Sequence, residues 1–110
     1  LTIAVLIGLA SPAMAQMPGG LLATGSLLAG CRAFVENAPT GDMMQMGACA
    51  GAVSAVLDVS QTLRRACPPS DVGVIDAARV VIRFSDVRAS RASESFGPMA
   101  LAALSDRWPC

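Results

Sequence analysis

Apolar residues recur at three- and four-residue steps through most of the chain beyond residue 20, which is the spacing of one face of an α-helix. From Leu21 to Asn37 the stripe runs through Leu21, Leu27, Leu28, Cys31, Phe34 and Val35. Gly25 and Gly30 weaken this first helix intrinsically, and Gly30 marks a place for close contact with a second helix. Asn37 to Asp42 reads NAPTGD, a turn by composition with Pro39 and Gly41 as breakers. The central helix of the domain follows, from about Asp42 to Arg65, with Met46, Ala50, Val53, Val56, Leu57 and Leu63 as its apolar positions. Asp42 suits its front end, because a carboxylate there accepts hydrogen bonds from the first free backbone N–H groups. Pro68 and Pro69 set its far limit. Gly47, Gly51 and Ala55 share one face and read as a packing stripe where two backbones approach.

A third helix is expected from about Val72 to Phe84, capped by Ser70 or Asp71, with Val74, Ile75, Ala78, Val81 and Ile82 inward. Asp76 and Arg79 are placed for a weak pair. The β-branched run VVIRF also suits a strand, but no second strand offers itself, so helix is preferred. Ser85 to Arg91 is polar and reads as a loop or a weak first turn of the next helix. A fourth helix follows, about Ala92 to Arg107, with Phe96, Met99, Ala100, Ala103, Leu104 and Trp108 apolar. Gly97-Pro98 should kink it or reset its start, and Pro109 ends it. The pattern predicts an all-α fold, a small disulfide-stapled four-helix domain.

The front of the chain is different. LTIAVLIGLASPAMAQ is an apolar run with a small-x-small motif at Ala13-Met14-Ala15. We expect residues 1–15 to be signal peptide, already lacking its usual start, and residues 16–110 to be the exported domain. The apolar run breaks at Ser11-Pro12, short of the roughly 20 residues that span a bilayer. QMPGG, from Gln16 to Gly20, reads as a flexible lead into the first helix.

In an exported chain, Cys31, Cys49, Cys67 and Cys110 read as two disulfides. Zinc is disfavoured, because its thiolate ligands normally come in close pairs and no Cys-x-x-Cys occurs. Three pairings are possible. Cys49 and Cys67 are separated by 18 residues, about 27 Å along a continuous helix, far beyond the reach of a disulfide. Cys31 and Cys49 lie about equally far on either side of the Pro39–Thr40 turn, so an antiparallel hairpin sets them face to face. That favours Cys31–Cys49 and leaves Cys67 for Cys110. The crossed set, Cys31–Cys67 with Cys49–Cys110, is geometrically poor.

Charge and chemistry narrow the function. Eight arginines balance eight acids, and there is no Lys, His or Tyr. A neutral balance gives no reason to expect nucleic acid or an anionic membrane as a partner. Without His, no Ser-His or Cys-His pair can form. Asp58, Asp71, Asp76, Asp86, Glu94 and Asp106 are scattered along the chain and read as solvated acids. No enzyme activity, cofactor or metal is expected. Arg64-Arg65 falls in the last turn of the central helix, where positive charge offsets free carbonyls. Arg79, Arg83, Arg88 and Arg91 are the candidate rim for a protein partner, since arginine is a broad, multidentate donor. Trp108 would be an anchor there if exposed.

The cysteine frame carries a resemblance. Leu28 to Cys31 reads LAGC; Cys49-Ala50-Gly51 is followed by Asp58; then come Cys67-Pro68-Pro69, Ala102-Ala103-Leu104 and Trp108-Pro109-Cys110. This ordered set resembles the Rap/Tai family of immunity proteins, which accompany peptidoglycan-amidase effectors of type VI secretion. The chain departs from the family pattern at Ala52, where an aromatic is usual, at Ala55, where glycine is frequent, and at Ser85-Asp86, where a His-Pro pair is common. The resemblance implies an all-helical periplasmic protein with intrachain disulfides that binds an amidase and occludes its cleft. It also implies that copies can form a homodimer. The alternative expectation is a periplasmic helical interaction or structural module with no toxin partner.

Overall fold

The computed structural model describes residues 2, 24–38, 41–88, 90 and 93–110. The expected leader, residues 1–15, lies outside them except for Thr2, as do Leu21, Pro39, Thr40, Arg91 and Ala92. Among the described residues there are four α-helices: α1 (Thr24–Glu36), α2 (Met43–Thr62), α3 (Val74–Asp86) and α4 (Phe96–Arg107). VVIRF is helical, inside α3.

α2 touches all three other helices and packs most extensively on α1. Both disulfides join as the hairpin argument requires, Cys31–Cys49 and Cys67–Cys110, and no cysteine is free. Cys31–Cys49 pins α1 to α2 with Cα atoms 5.0 Å apart. Gly30, next to it, is the point of closest approach: a Cβ there would meet the Gln45 backbone oxygen at 2.2 Å.

The core gathers Leu27, Leu28 and Cys31 from α1, Cys49 and Val53 from α2, and Ala77, Ala78, Val81 and Ile82 from α3. Phe96, Met99, Ala100, Ala103 and Leu104 of α4 complete it. Two expected core residues are elsewhere. Ile75 is 42% exposed and Leu63 is 63% exposed. In α3 the inward face is rotated toward Ala77, Ala78 and Ser85. Leu63 falls outside the core because α2 has already ended.

The helix ends explain most boundary differences. Asp42 caps α2 as expected, its side chain accepting from the Met44 and Gln45 backbone N–H groups. At the other end α2 stops at Thr62, well before the prolines. Arg64 adopts a left-handed φ of 53°, the Arg65 N–H donates to the Ser60 carbonyl at 2.8 Å, and the Arg64 N–H donates to that of Gln61 at 3.1 Å. This crossed pair is a Schellman stop. α1 ends the same way, with Asn37 left-handed at 50° and Ala38 N–H donating to Ala33 O. Arg64-Arg65 therefore lies beyond the helix rather than in its last turn. α3 has its N-cap at Gly73, not at Ser70 or Asp71, and the Asp76 carboxylate accepts from the Gly73 N–H at 3.2 Å. That bond takes the place of the expected Asp76–Arg79 pair. α3 also runs on through Ser85 and Asp86, which the polar composition assigned to a loop. α4 begins only at Phe96, so Pro98 sits in the first turn, where a missing N–H costs no helical bond. The Gly-Pro pair resets the start; it does not kink the helix.

The Gly47–Gly51–Ala55 stripe does not pack as expected. All three residues are exposed, and a Cβ at Gly47 or Gly51 would meet nothing within 4 Å. Gly51→Ala is therefore expected to stabilise the isolated domain by about 1 kcal/mol, the difference in helix propensity. A urea titration giving an unchanged or lower midpoint would refute that reading.

Candidate functional site

α3 presents its arginines on the side away from the core. Arg79 and Arg83 are four residues apart, hence on one face, and both are exposed. They line a groove of about 400 Å³ with Pro69, Asp71, Val72, Asp76, Val80, Arg107 and Trp108. The opposite wall comes from the far end of the chain. It is fixed there by three links: the Cys67–Cys110 disulfide, the Cys67 N–H donating to the Trp108 carbonyl at 2.8 Å, and the Ser105 hydroxyl donating to the Arg65 carbonyl at 2.8 Å. Arg107 lies over the Trp108 ring, 5.4 Å from its centroid, within cation–π range. Trp108 is half-buried, packed against the core on one side and lining the groove on the other.

The four arginines singled out in the sequence separate. Arg79 and Arg83 share the groove. Arg88 folds onto its own helix end, donating to the Phe84 carbonyl at 3.1 Å with its guanidinium 3.7 Å from the Phe84 ring centroid. Arg91 lies outside the described residues. Arg107 is the groove residue that sequence reasoning missed. The signal was present: the Cys67–Cys110 pairing returns the last helix end to the Pro68-Pro69 link.

Among the described residues the one ion pair is Arg32–Asp86, joining α1 to the end of α3. The guanidinium addresses both carboxylate oxygens, the longer bond at 3.4 Å. That hydrogen bond, aided by the charge, holds the Asp86 carboxyl below its ordinary value. The folded-state pKa is thus lower than the unfolded one. The contribution to stability is complete above the unfolded value, roughly pH 4, and is lost as pH falls through the folded value. Both side chains are about half exposed, so the effect is modest. Asp86→Asn should flatten the acid limb of a plot of Tm against pH below about pH 4. Curves of equal slope for parent and variant would count against the pair.

A second groove, between α2 and the start of α4, is almost wholly apolar, lined by Ala55, Val56, Val59, Gly97, Pro98 and Leu101. Among the described residues no three His, Cys, Asp or Glu side chains gather to hold a metal ion, and all four cysteine sulfurs are consumed in disulfides. Of the acids expected to be scattered, Asp71 and Asp76 both line the arginine groove.

What the molecule offers is a rigid surface with fixed donors. No curated protein matches the chain, and no solved structure does. A family model described as Rap1a immunity proteins matches residues 23–110, from just before α1 to the last cysteine. That match includes all four cysteines and both walls of the arginine groove, and it assigns a binding role rather than catalysis. The chain belongs to the Rap1a immunity protein family.

Proposed function

We propose that this chain acts in the periplasm, where it binds a peptidoglycan amidase effector and inhibits it by occupying its surface. Family membership over residues 23–110 carries the reading. Two disulfides suit an oxidising compartment, which supports export by residues 1–15 and a working domain of residues 16–110. The exposed α3 face bearing Arg79 and Arg83 is the proposed docking surface. Inhibition needs no chemistry from this chain; shape and polar contacts suffice.

The homodimer expected from the resemblance fits α2. Only Cys49, Val53 and Ser60 of its twenty residues are buried. Met44, Gly47, Gly51, Ala55 and Val59 lie exposed along it, and Asp58 is its single charged residue. A second copy lying along α2 would cover that face.

The deciding experiment is protection. A cell exporting the secreted amidase of the same organism to its periplasm should lyse without this protein and survive with it. The two purified proteins should also elute together at equal stoichiometry. Survival without it against every such amidase would leave the alternative, a periplasmic interaction module with no toxin partner. Sedimentation tests the dimer separately: a monomer at high micromolar concentration would refute it.

A further inference from the structure

We propose that the groove between α3 and the C-terminal segment recognises an acidic loop of the protein partner, taking an aspartate or glutamate carboxylate between Arg79, Arg83 and Arg107. This deepens the docking reading above and rests on it.

The charge state of the groove carries the inference. The chain as a whole is neutral, yet three of its eight arginines line one cavity. None of the three forms an ion pair among the described residues. The two acids in the same cavity offset part of that charge and leave it net positive, with Asp76 also held at the Gly73 N–H and neither acid in an ion pair with the three. A guanidinium gains most from a carboxylate that meets it with two parallel hydrogen bonds, so three arginines lining one groove favour that ligand chemistry.

The remaining lining says what carries the carboxylate. Trp108, Val80 and Pro69 offer apolar surface to a side-chain stem. Asp71 and Asp76 repel any anion, a doubly charged phosphate more strongly than a single carboxylate, and their oxygens accept backbone N–H groups from a peptide. Donors, acceptors and an aromatic plane together fit a segment of acidic polypeptide better than a lipid headgroup or free phosphate. The walls are also set in advance. A disulfide and two hydrogen bonds hold the Trp108 side, and Arg107 already lies over the ring. Less ordering is then required on binding.

Trp108 is the sole tryptophan and there is no tyrosine, so intrinsic tryptophan emission comes from one residue, and that residue lines this groove. The oxidised protein is titrated at low salt with a hexaglutamate peptide, with hexalysine, and with inorganic phosphate. Hexaglutamate should give a saturable change in emission that salt suppresses; the other two should give none. Arg79→Gln with Arg83→Gln should weaken the response at least tenfold, and Arg107→Gln alone should weaken it measurably. Arg64→Gln, at an exposed position outside the groove, should leave it unchanged. Circular dichroism melts establish that each variant is folded. No response to hexaglutamate, an equal response to phosphate, or an undiminished response in the folded double variant overturns the proposal. Where an amidase binds the parent, equal affinity for the double variant overturns the groove and leaves the immunity reading standing. Failure of every amidase to bind the parent strikes the immunity reading instead.

Discussion

Gly30→Ala should lower the stability of the domain by about 3 kcal/mol, at the upper end of what overpacking usually costs. The added methyl would lie 2.2 Å from the Gln45 carbonyl oxygen and 2.6 Å from its carbon. Both are backbone atoms in the first turns of α2, so no side-chain rotation relieves the clash. The helices cannot simply part, because Cys31–Cys49 ties them together one residue away. Alanine returns up to about 1 kcal/mol of helix propensity. The steric term must exceed that for the prediction to hold. In a domain of this size 3 kcal/mol corresponds to roughly 10–20 °C in Tm. A thermal melt of Gly30→Ala within a few degrees of the parent would show that α1 and α2 slide apart more easily than their contact implies.

The contrast with Gly51 shows what the sequence could and could not convey. Gly30 and Gly51 are both mid-helix glycines beside a cysteine or within two residues of one. One sits at a backbone contact and the other faces open space. Local spacing does not distinguish them, since helix periodicity gives the relative face and not which face a neighbour covers. In α2 that ambiguity is severe, because residues on nearly every side are apolar or small. α3 has a clearer division into apolar and charged sides, and there Ala78, Val81 and Ile82 are inward as expected, whereas Ile75 is exposed and the buried Ala77 and Ser85 were not anticipated. Disulfide pairing was legible because helix rise and a turn position bound distances tightly. The helix end at Asp42 was legible because the cap residue's own side chain makes it, whereas the stop at Arg64 rests on backbone bonds and the start at Gly73 on a carboxylate three residues on, and neither was. The groove was half legible. Arg79 and Arg83 announce themselves by their spacing on one helix, whereas Arg107 joins them through a tertiary closure across 43 residues.

Mild reduction of the folded protein should open Cys67–Cys110 first and leave Cys31–Cys49 intact. Cys31 and Cys49 have no solvent exposure, whereas Cys67 and Cys110 are both exposed. Thiol–disulfide exchange needs a thiolate to reach a sulfur, so access orders the rates. Stability ranks the bridges differently. Cross-linking entropy assigns about 3 kcal/mol to a closed loop of 18 residues and about 4 kcal/mol to one of 43. The buried pair recovers the difference, because replacing its two sulfurs by hydrogen leaves unfilled space in a packed core. Cys31→Ala with Cys49→Ala and Cys67→Ala with Cys110→Ala should therefore each cost about 4 kcal/mol, a large share of the 5–15 kcal/mol typical of a small domain. Partial reduction, alkylation and peptide mapping measure the order, and denaturant titration of the two double variants measures the costs. Simultaneous opening of both bridges would mean that global unfolding, not local access, admits the reductant. If Cys67–Cys110 opens alone, the wall bearing Arg107 and Trp108 loses its covalent tie, and the Trp108 response to hexaglutamate should weaken under conditions that leave the α1–α2 hairpin oxidised.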